Sequence, residues 1–204
     1  MDTFESTTIA EIVRRIGLIG ENPNDTNSFI NLFTRKYPGK VEFVSLIADK
    51  TGGNLDDIKP ESIVLKQLKL EYEFEKPNFV VLIRDSDALE SESDKLNDRL
   101  TRMYKLGSAV SQNAIYLLCI WEMETLLLAD LDPVNNKYGT TLTYPLSPTD
   151  PSDLMMKKEP KEFLKVNCGY HQNDCAELFR TLDFEKLKAV KFFNEFVPKF
   201  EQRI

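Results

Sequence analysis

The amino-acid sequence predicts an α/β domain with a mostly parallel central sheet flanked by helices and a C-terminal helical extension. Short apolar runs of strand length, such as Phe79-Val-Val-Leu-Ile83 and Ala114-Ile-Tyr-Leu-Leu-Cys-Ile120, alternate with longer segments of helical periodicity. The runs are apolar at consecutive positions, the pattern of strands covered on both faces, as parallel strands are. Acidic residues stand at the ends of these runs, where open parallel sheets bind their ligands.

Taken in order, residues 6–13 fit either a short helix or a lead-in to the first strand, Ile16 to Ile19, which runs into Glu21. Asn22-Pro-Asn-Asp25 is a turn cluster, and Asp25 is placed to cap the helix that follows. Thr26 to Tyr37 carries Phe29, Leu32, Phe33 and Tyr37 at helical spacing, and Pro38-Gly39 stops it. Val41 to Ala48 reads as a second strand. A loop rich in glycine and acid, 49–57, leads to a helix over 60–73, and the third strand, Phe79 to Ile83, delivers Asp85-Ser-Asp87. Leu96, Leu100, Met103 and Leu106 form one stripe of a helix that Gly107 would end. Ala114 to Ile120 is a fourth strand, with Glu122 to Asp130 a short helix starting at its end. Pro133 to Pro151 is proline-rich and polar, an irregular excursion. Beyond it Glu159 to Lys165, Cys175 to Leu182 and Asp183 to Val197 read as helices, Asp183 as the N-cap of the last.

At 204 residues the chain can bury a sizeable core. The expected organisation is an α/β core over 1–130 with the acidic site, and over 131–204 the excursion and C-terminal helices packed on that core as one unit. No apolar run reaches membrane-spanning length, so no membrane partner is expected. Met1-Asp-Thr-Phe-Glu-Ser6 lacks the basic segment of a secretory signal, which places the chain in the cytoplasm by expectation. Cys119, Cys168 and Cys175 with the single His171 match no common zinc spacing, and His171 lies in a polar, surface-like stretch. Trp121, Phe193 and Phe196 read as core or partner-contact residues rather than base-stacking platforms. The net charge of −7 argues against a strong autonomous grip on nucleic acid, which favours a basic stripe.

The chemistry concentrates in carboxylates. Glu21, Asp85, Asp87, Glu122 and Glu124 all fall at predicted strand ends, on one edge of the sheet. Successive side chains of a strand alternate faces, so Asp85 and Asp87 are expected to point the same way with Ser86 opposite. Such carboxylates repel unless a cation lies between them, and oxygen-only donors suit Mg²⁺ or Mn²⁺ better than zinc. Glu122 and Glu124 also fit the ordinary preference for acids in a helix's first turn. Lys161 could neutralise a phosphate or stand in solvent as an ordinary helix-start lysine. No Ser, Cys or His constellation for nucleophilic catalysis and no Walker-type glycine loop competes with this site.

This arrangement resembles the Toprim domain, in which a glutamate after the first strand and an Asp-x-Asp after a later one hold Mg²⁺ for phosphoryl transfer. More closely, the chain is similar to a family of uncharacterised Toprim-like proteins, the domain of unknown function numbered 4276, related to nucleases of the overcoming-lysogenization-defect type. The residues that carry the likeness are Glu122-Met-Glu124, Leu127-Leu-Ala-Asp130, Pro160-Lys161 and the surroundings of Tyr170, and it spans about residues 15 to 197. The resemblance implies a metal-dependent phosphodiesterase or nuclease acting on DNA or RNA. Glu21, Asp85 and Asp87 would hold Mg²⁺ or Mn²⁺, and Glu124, or Glu122, would complete a second site or act as general base. It also implies a partner ATPase and a role in defence against phage. The rival expectation is a non-catalytic Toprim-like interaction module that binds and regulates a partner protein. Self-association into a homo-oligomer is compatible with either.

Overall fold

The computed structural model describes residues 12–46, 55, 62–143 and 159–204. The predicted lead-in at 6–11 and the loop at 49–57, apart from Leu55, lie outside the described residues. Four strands form one sheet in the order β2-β1-β3-β4, every neighbouring pair parallel: β1 Arg14–Ile19, β2 Val41–Ser45, β3 Phe79–Asp85 and β4 Ala114–Cys119. The helices that cross between them are α1 Pro23–Lys36, α2 Ile63–Glu75 and α3 Ser93–Val110. β4 is followed by α4 Thr125–Ala129 and α5 Asp132–Tyr138. The C-terminal helices are α6 Pro160–Cys168, α7 Cys175–Leu178, α8 Phe184–Leu187 and α9 Lys191–Glu201.

Two cores sandwich the sheet, as the consecutive apolar residues of its strands require. In β3, Phe79, Val81 and Ile83 face α1 and the C-terminal helices, while Val80 and Leu82 face α2 and α3. The chain covers one face with α1, returns past β1 to β3, and covers the other face with α2 and α3. The winding direction therefore reverses between β1 and β3, and the crevice beyond their carboxyl ends is where such sheets bind ligands. Phe33 of α1 is the hub of the first core: it stacks on Phe29 at 4.0 Å and meets Phe200 at 4.7 Å and Phe184 at 5.6 Å between ring centroids. The C-terminal helices are thus part of the wall of this core.

Several boundaries differ from the sequence expectation for identifiable reasons. Helix α1 starts earlier, because Asn22 rather than Asp25 is its cap: the Asn22 side chain accepts from Asn24 N at 2.9 Å and Pro23 occupies the first turn. The predicted excursion contains α5, since Pro133 suits a helix start as well as a loop, and Gly139 closes α5 in left-handed geometry at φ 64°. Residues 144–158 lie outside the described residues. The helix expected to begin at Glu122 begins at Thr125. The helix expected over Asp183 to Val197 is two, α8 and α9, separated at Val190, whose extended backbone starts α9; Asp183 does cap α8. The segment expected to be helical to Leu182 ends as a helix at Leu178.

Gly107 does not stop α3, which runs on to Val110. Its lack of a side chain makes room for Tyr116 of β4: a Cβ there would lie 2.8 and 2.9 Å from carbons of the Tyr116 ring, which is itself packed edge-on against Tyr104 at 4.6 Å. Glycine in a helix interior ordinarily costs about 1 kcal/mol against alanine, so Gly107→Ala would stabilise an open helix. Here it is expected to destabilise by about 1–2 kcal/mol through displaced rings. Urea denaturation of the variant measures this, and a rise in stability would show that the ring does not hold the position.

Candidate functional site

The site is built by two loops joined through their backbones. β3 ends at Asp85, and Ser86 N donates to Cys119 O at 2.9 Å. Asp87 N then donates to Trp121 O, and Trp121 N to Ala88 O, both at 3.0 Å. Trp121 pays for this with a left-handed backbone, φ 60°, a rare conformation for a bulky residue. The turn brings the segment after β4 back over the end of β3, where Met123 N donates to Asp85 Oδ1 at 2.9 Å. Glu122 and Glu124 flank that contact. Oxygens of Asp85, Glu122 and Glu124 lie within 4.8 Å of one another, the one such group of three or more metal-capable side chains among the described residues.

Two helix starts complete the site. In the first turn of α6, Lys161 N donates to Glu122 Oε1 at 2.7 Å, so Glu122 caps this helix in place of Glu159, whose side chain makes no capping bond. The Lys161 ammonium reaches into the acids, 2.9 Å from Glu122, 3.6 Å from Glu124 and 4.0 Å from Asp85. Tyr170, after α6, donates its hydroxyl to Glu124 Oε1 at 2.9 Å. Asp25 is buried in the first turn of α1.

Burial sets the protonation of this group. Loss of hydration raises the pKa of Asp25 to about 7, with Glu124 adding to the rise and Lys161 opposing it. The same loss of hydration, with Asp25 and Glu124 next in effect, pushes Asp85 well above the ordinary carboxylate range. Glu124 is raised by burial, with Lys161 and the Tyr170 hydroxyl pulling back. For Lys161 burial disfavours the ammonium, but Glu124, Glu122 and Asp85 outweigh it and hold the proton on.

Of the residues singled out in the sequence, the structure brings together Asp85, Glu122, Glu124 and Lys161. It does not add Asp87. The strand ends at Asp85, so alternation no longer applies two residues on; Asp87 has φ 49° and an exposed carboxylate paired with Arg99 at 3.2 Å. Glu21 is not one of the three converging carboxylates and pairs at 3.1 Å with Arg84, yet it stands close enough to Asp25 to add to the rise of its pKa. Arg84 is the β3 residue before Asp85 and by strand parity belongs to the opposite face. Asp25, read from the sequence as a helix cap in preference to a ligand, stands with the site acids. Its position beyond the β1 end, at the reversal of winding, is a signal that could have marked it. His171 is exposed, and the three cysteines are free.

The donor set suits a hard divalent cation. An ion with bonds of about 2.1 Å spans its opposite oxygen ligands by about 4.2 Å, so a group whose oxygens lie within 4.8 Å needs little contraction to hold one. All of the donors are oxygens, which suit Mg²⁺ or Mn²⁺ better than zinc. Among the described residues no helix is long and apolar enough to cross a membrane.

The raised carboxyls make stability pH-dependent with a defined sign. A carboxyl whose folded pKa lies above its unfolded value contributes stability that is complete below the unfolded value and is lost as pH rises through the folded one. For Asp25 that window runs from pH 3.8 to about 7. Each such group contributes a slope of at most about 1.4 kcal/mol per pH unit. The lowered surface carboxylates Glu185, Asp174 and Glu92 act only below their ordinary range and leave this window alone. In chelator the melting temperature is therefore expected to fall from pH 5 to pH 8, and Asp25→Asn to flatten the fall. A melting temperature that climbs over that range would contradict the assignment.

No family model, curated protein or solved structure matches this chain, so the chemistry of the site itself is what bears on function.

Proposed function

We propose that this protein is a Mg²⁺- or Mn²⁺-dependent phosphodiesterase acting on nucleic acid, of the Toprim kind its sequence resembles. The ion would be held by Asp85, Glu122 and Glu124, with Asp25 beside them. The supporting observation is the convergence of those three carboxylates within 4.8 Å at the carboxyl edge of the sheet. This ligand set departs from the one the resemblance implies, since Glu21 and Asp87 are turned to Arg84 and Arg99. A bound divalent ion supplies Lewis-acid neutralisation of phosphoryl charge and a more acidic water. Lys161, 30% exposed at its side chain, is positioned to donate to a phosphate oxygen in exchange for its carboxylates. Glu124, whose hold on its proton is strengthened by burial, is the candidate general base or acid beside the ion. The partner ATPase and the defence role rest on the resemblance alone.

One observation favours a second reading, the non-catalytic interaction module. Lys161 already supplies a cation to the acids, and its backbone N–H and the Tyr170 hydroxyl satisfy two of their oxygens. In that reading the cluster is a polar strut, and the surface around it serves a partner protein.

Melting with Mn²⁺ separates the two. Saturation at about a hundred times Kd adds about 2.7 kcal/mol, a rise of roughly 5–10 °C for a chain of this size. Wild type and Asp87→Asn should show it; Asp85→Asn and Glu124→Gln should not. Hydrolysis of a bis(nitrophenyl) phosphate, then of single- and double-stranded DNA and RNA, should follow the same ranking. Wild-type melting indifferent to both ions would end the metal proposal.

Lys161→Met offers an independent check. Removing one partner of a buried ion pair costs about 3–5 kcal/mol, and the acids then lack their counter-charge. If the cluster holds a divalent ion, Mn²⁺ restores much of the lost stability. If Lys161 is a strut, the loss persists at every Mn²⁺ concentration.

A further inference from the structure

The two edges of the sheet are built differently. β2 closes one with five residues, and its exposed Glu42 lies 3.7 Å from Arg15. Short length and charge are devices that keep a strand edge from pairing with another chain. β4 closes the other edge with six residues, Ala-Ile-Tyr-Leu-Leu-Cys, free of charge and of proline. In a parallel ladder alternate residues turn their N–H and C=O groups to opposite sides. Val80 N donates to Asn113 O and Ser86 N to Cys119 O, which sets the odd-numbered residues of this strand toward β3. Ala114, Tyr116 and Leu118 therefore turn their backbone groups outward, where no strand among the described residues meets them.

This edge lies at the floor of a groove of about 530 Å³, a volume in the range of built binding sites. α3 forms one wall with Leu96, Leu100 and Tyr104, the last 52% exposed. α9 forms the other with Phe192, Lys199 and Arg203. The recess decides what can enter. A second copy pairing through its own β4 would bring its own α3 and α9, and the four helices would meet before the strands did. A single extended segment has no such walls.

Charge says what that segment carries. Lys191, at the start of α9, pairs with Glu90 near the carboxyl end of β4, where Ala88 O accepts from Trp121 N. Phe200, near the other end of α9, packs 5.9 Å from Phe79 at the start of β3. α9 thus runs antiparallel to β4, and Lys199 and Arg203 stand at the Ala114 end of the groove. Both are exposed, and neither makes an ion pair among the described residues. A chain with net charge −7 thus keeps two cations outside ion pairs at one end of a groove of mixed polarity, with Glu195 one helical turn before Lys199 in the same lining.

We propose that the β4 edge is a docking site for an extended segment of a partner protein, which pairs with β4 as an added strand. The segment is apolar at alternate positions and carries carboxylates at the end beside Lys199 and Arg203. Backbone bonds to Tyr116 and Leu118 give it affinity, and the two walls and the cations give it direction.

Fluorescence anisotropy with labelled synthetic peptides tests this on the full chain. Each peptide has an Ile-Thr-Ile-Thr-Ile core with Asp-Asp or Lys-Lys at its N-terminal end, for parallel pairing, or at its C-terminal end, for antiparallel pairing. One of the two acidic peptides should bind about tenfold or more tightly than its lysine counterpart, a difference of roughly 1.4 kcal/mol. The double variant Lys199→Glu, Arg203→Glu should reverse that preference, and N-methylation of alternate core amides should abolish binding. Leu100→Glu, at a partly exposed position on the edge of the second core, should abolish it while circular dichroism still reports the folded chain. No binding by any peptide at about 1 mM, or binding indifferent to N-methylation, overturns the proposal. So does a concentration-dependent dimer that Leu100→Glu dissolves, since a second copy would then be the occupant.

Discussion

Four carboxyl groups buried around one ammonium form the constraint on which the carboxyl edge of this molecule depends. Asp25, Asp85, Glu122 and Glu124 come from three separate parts of the chain, and Lys161 comes from a fourth. Charges removed from water must be neutralised, paired or hydrogen-bonded, because an unpaired one costs several kcal/mol or more. The protein uses all three remedies. Asp25 and Asp85 retain protons more readily than free carboxyls do, Lys161 faces Asp85, Glu122 and Glu124, and those same three accept from Met123 N, Lys161 N and the Tyr170 hydroxyl respectively. Any divalent ion at this place competes with the ammonium and with those protons.

The framework that makes such burial tolerable is apolar and far larger than the site. Phe33, Phe29, Phe196 and Phe200 lock α1 to α9, and α1 carries Asp25. Asp130 ties α4 to the start of α8: it accepts from Asp183 N at 2.8 Å and from Lys186 Nζ at 2.7 Å. Leu127 and Leu128, just before it, are core residues. The Leu-Leu-Ala-Asp run that drew attention in the sequence is therefore a packing and anchoring device. It holds the turn bearing Glu122 and Glu124 against the C-terminal helices.

The strands were legible because two-sided burial leaves its mark in consecutive apolar residues, and β3 is buried along its whole apolar length. Helix starts were less so: Asn22 and Asp25 are both good caps, and only backbone geometry tells which one the helix uses. In the site, Asp85, Glu122, Glu124 and Lys161 stood out as acids at strand ends and a lysine at a helix start. Asp87 was joined to them by extending strand alternation past the end of the strand. Aspartate tolerates the left-handed turn seen at Asp87, but the one at Trp121 has no signature in a bulky residue that usually avoids that conformation, and it is what folds the glutamates back over Asp85. Glu21 was joined by its place at the end of the first strand, while the residue that claims it, Arg84, lay unremarked at the end of an apolar run.

Helix orientation explains why the acids gather here and not at the opposite edge. Helices that follow parallel strands begin at the strands' carboxyl ends, so their N-termini, with a partial positive charge of about half a unit, point at this edge. α1 places Asp25 in its first turn, and α6 gives Glu122 the N–H of Lys161. Those dipoles lower the cost of carboxylates without adding a mobile counter-charge. Lys161 is different in kind, since its four-carbon stem can swing and 30% of its side chain is exposed. The fixed dipoles bear on Asp25 and Glu122 wherever the ammonium stands, so Lys161 is the one mobile charge of the group, and its displacement toward another anion would leave the acids needing the counter-charge that a divalent ion could supply.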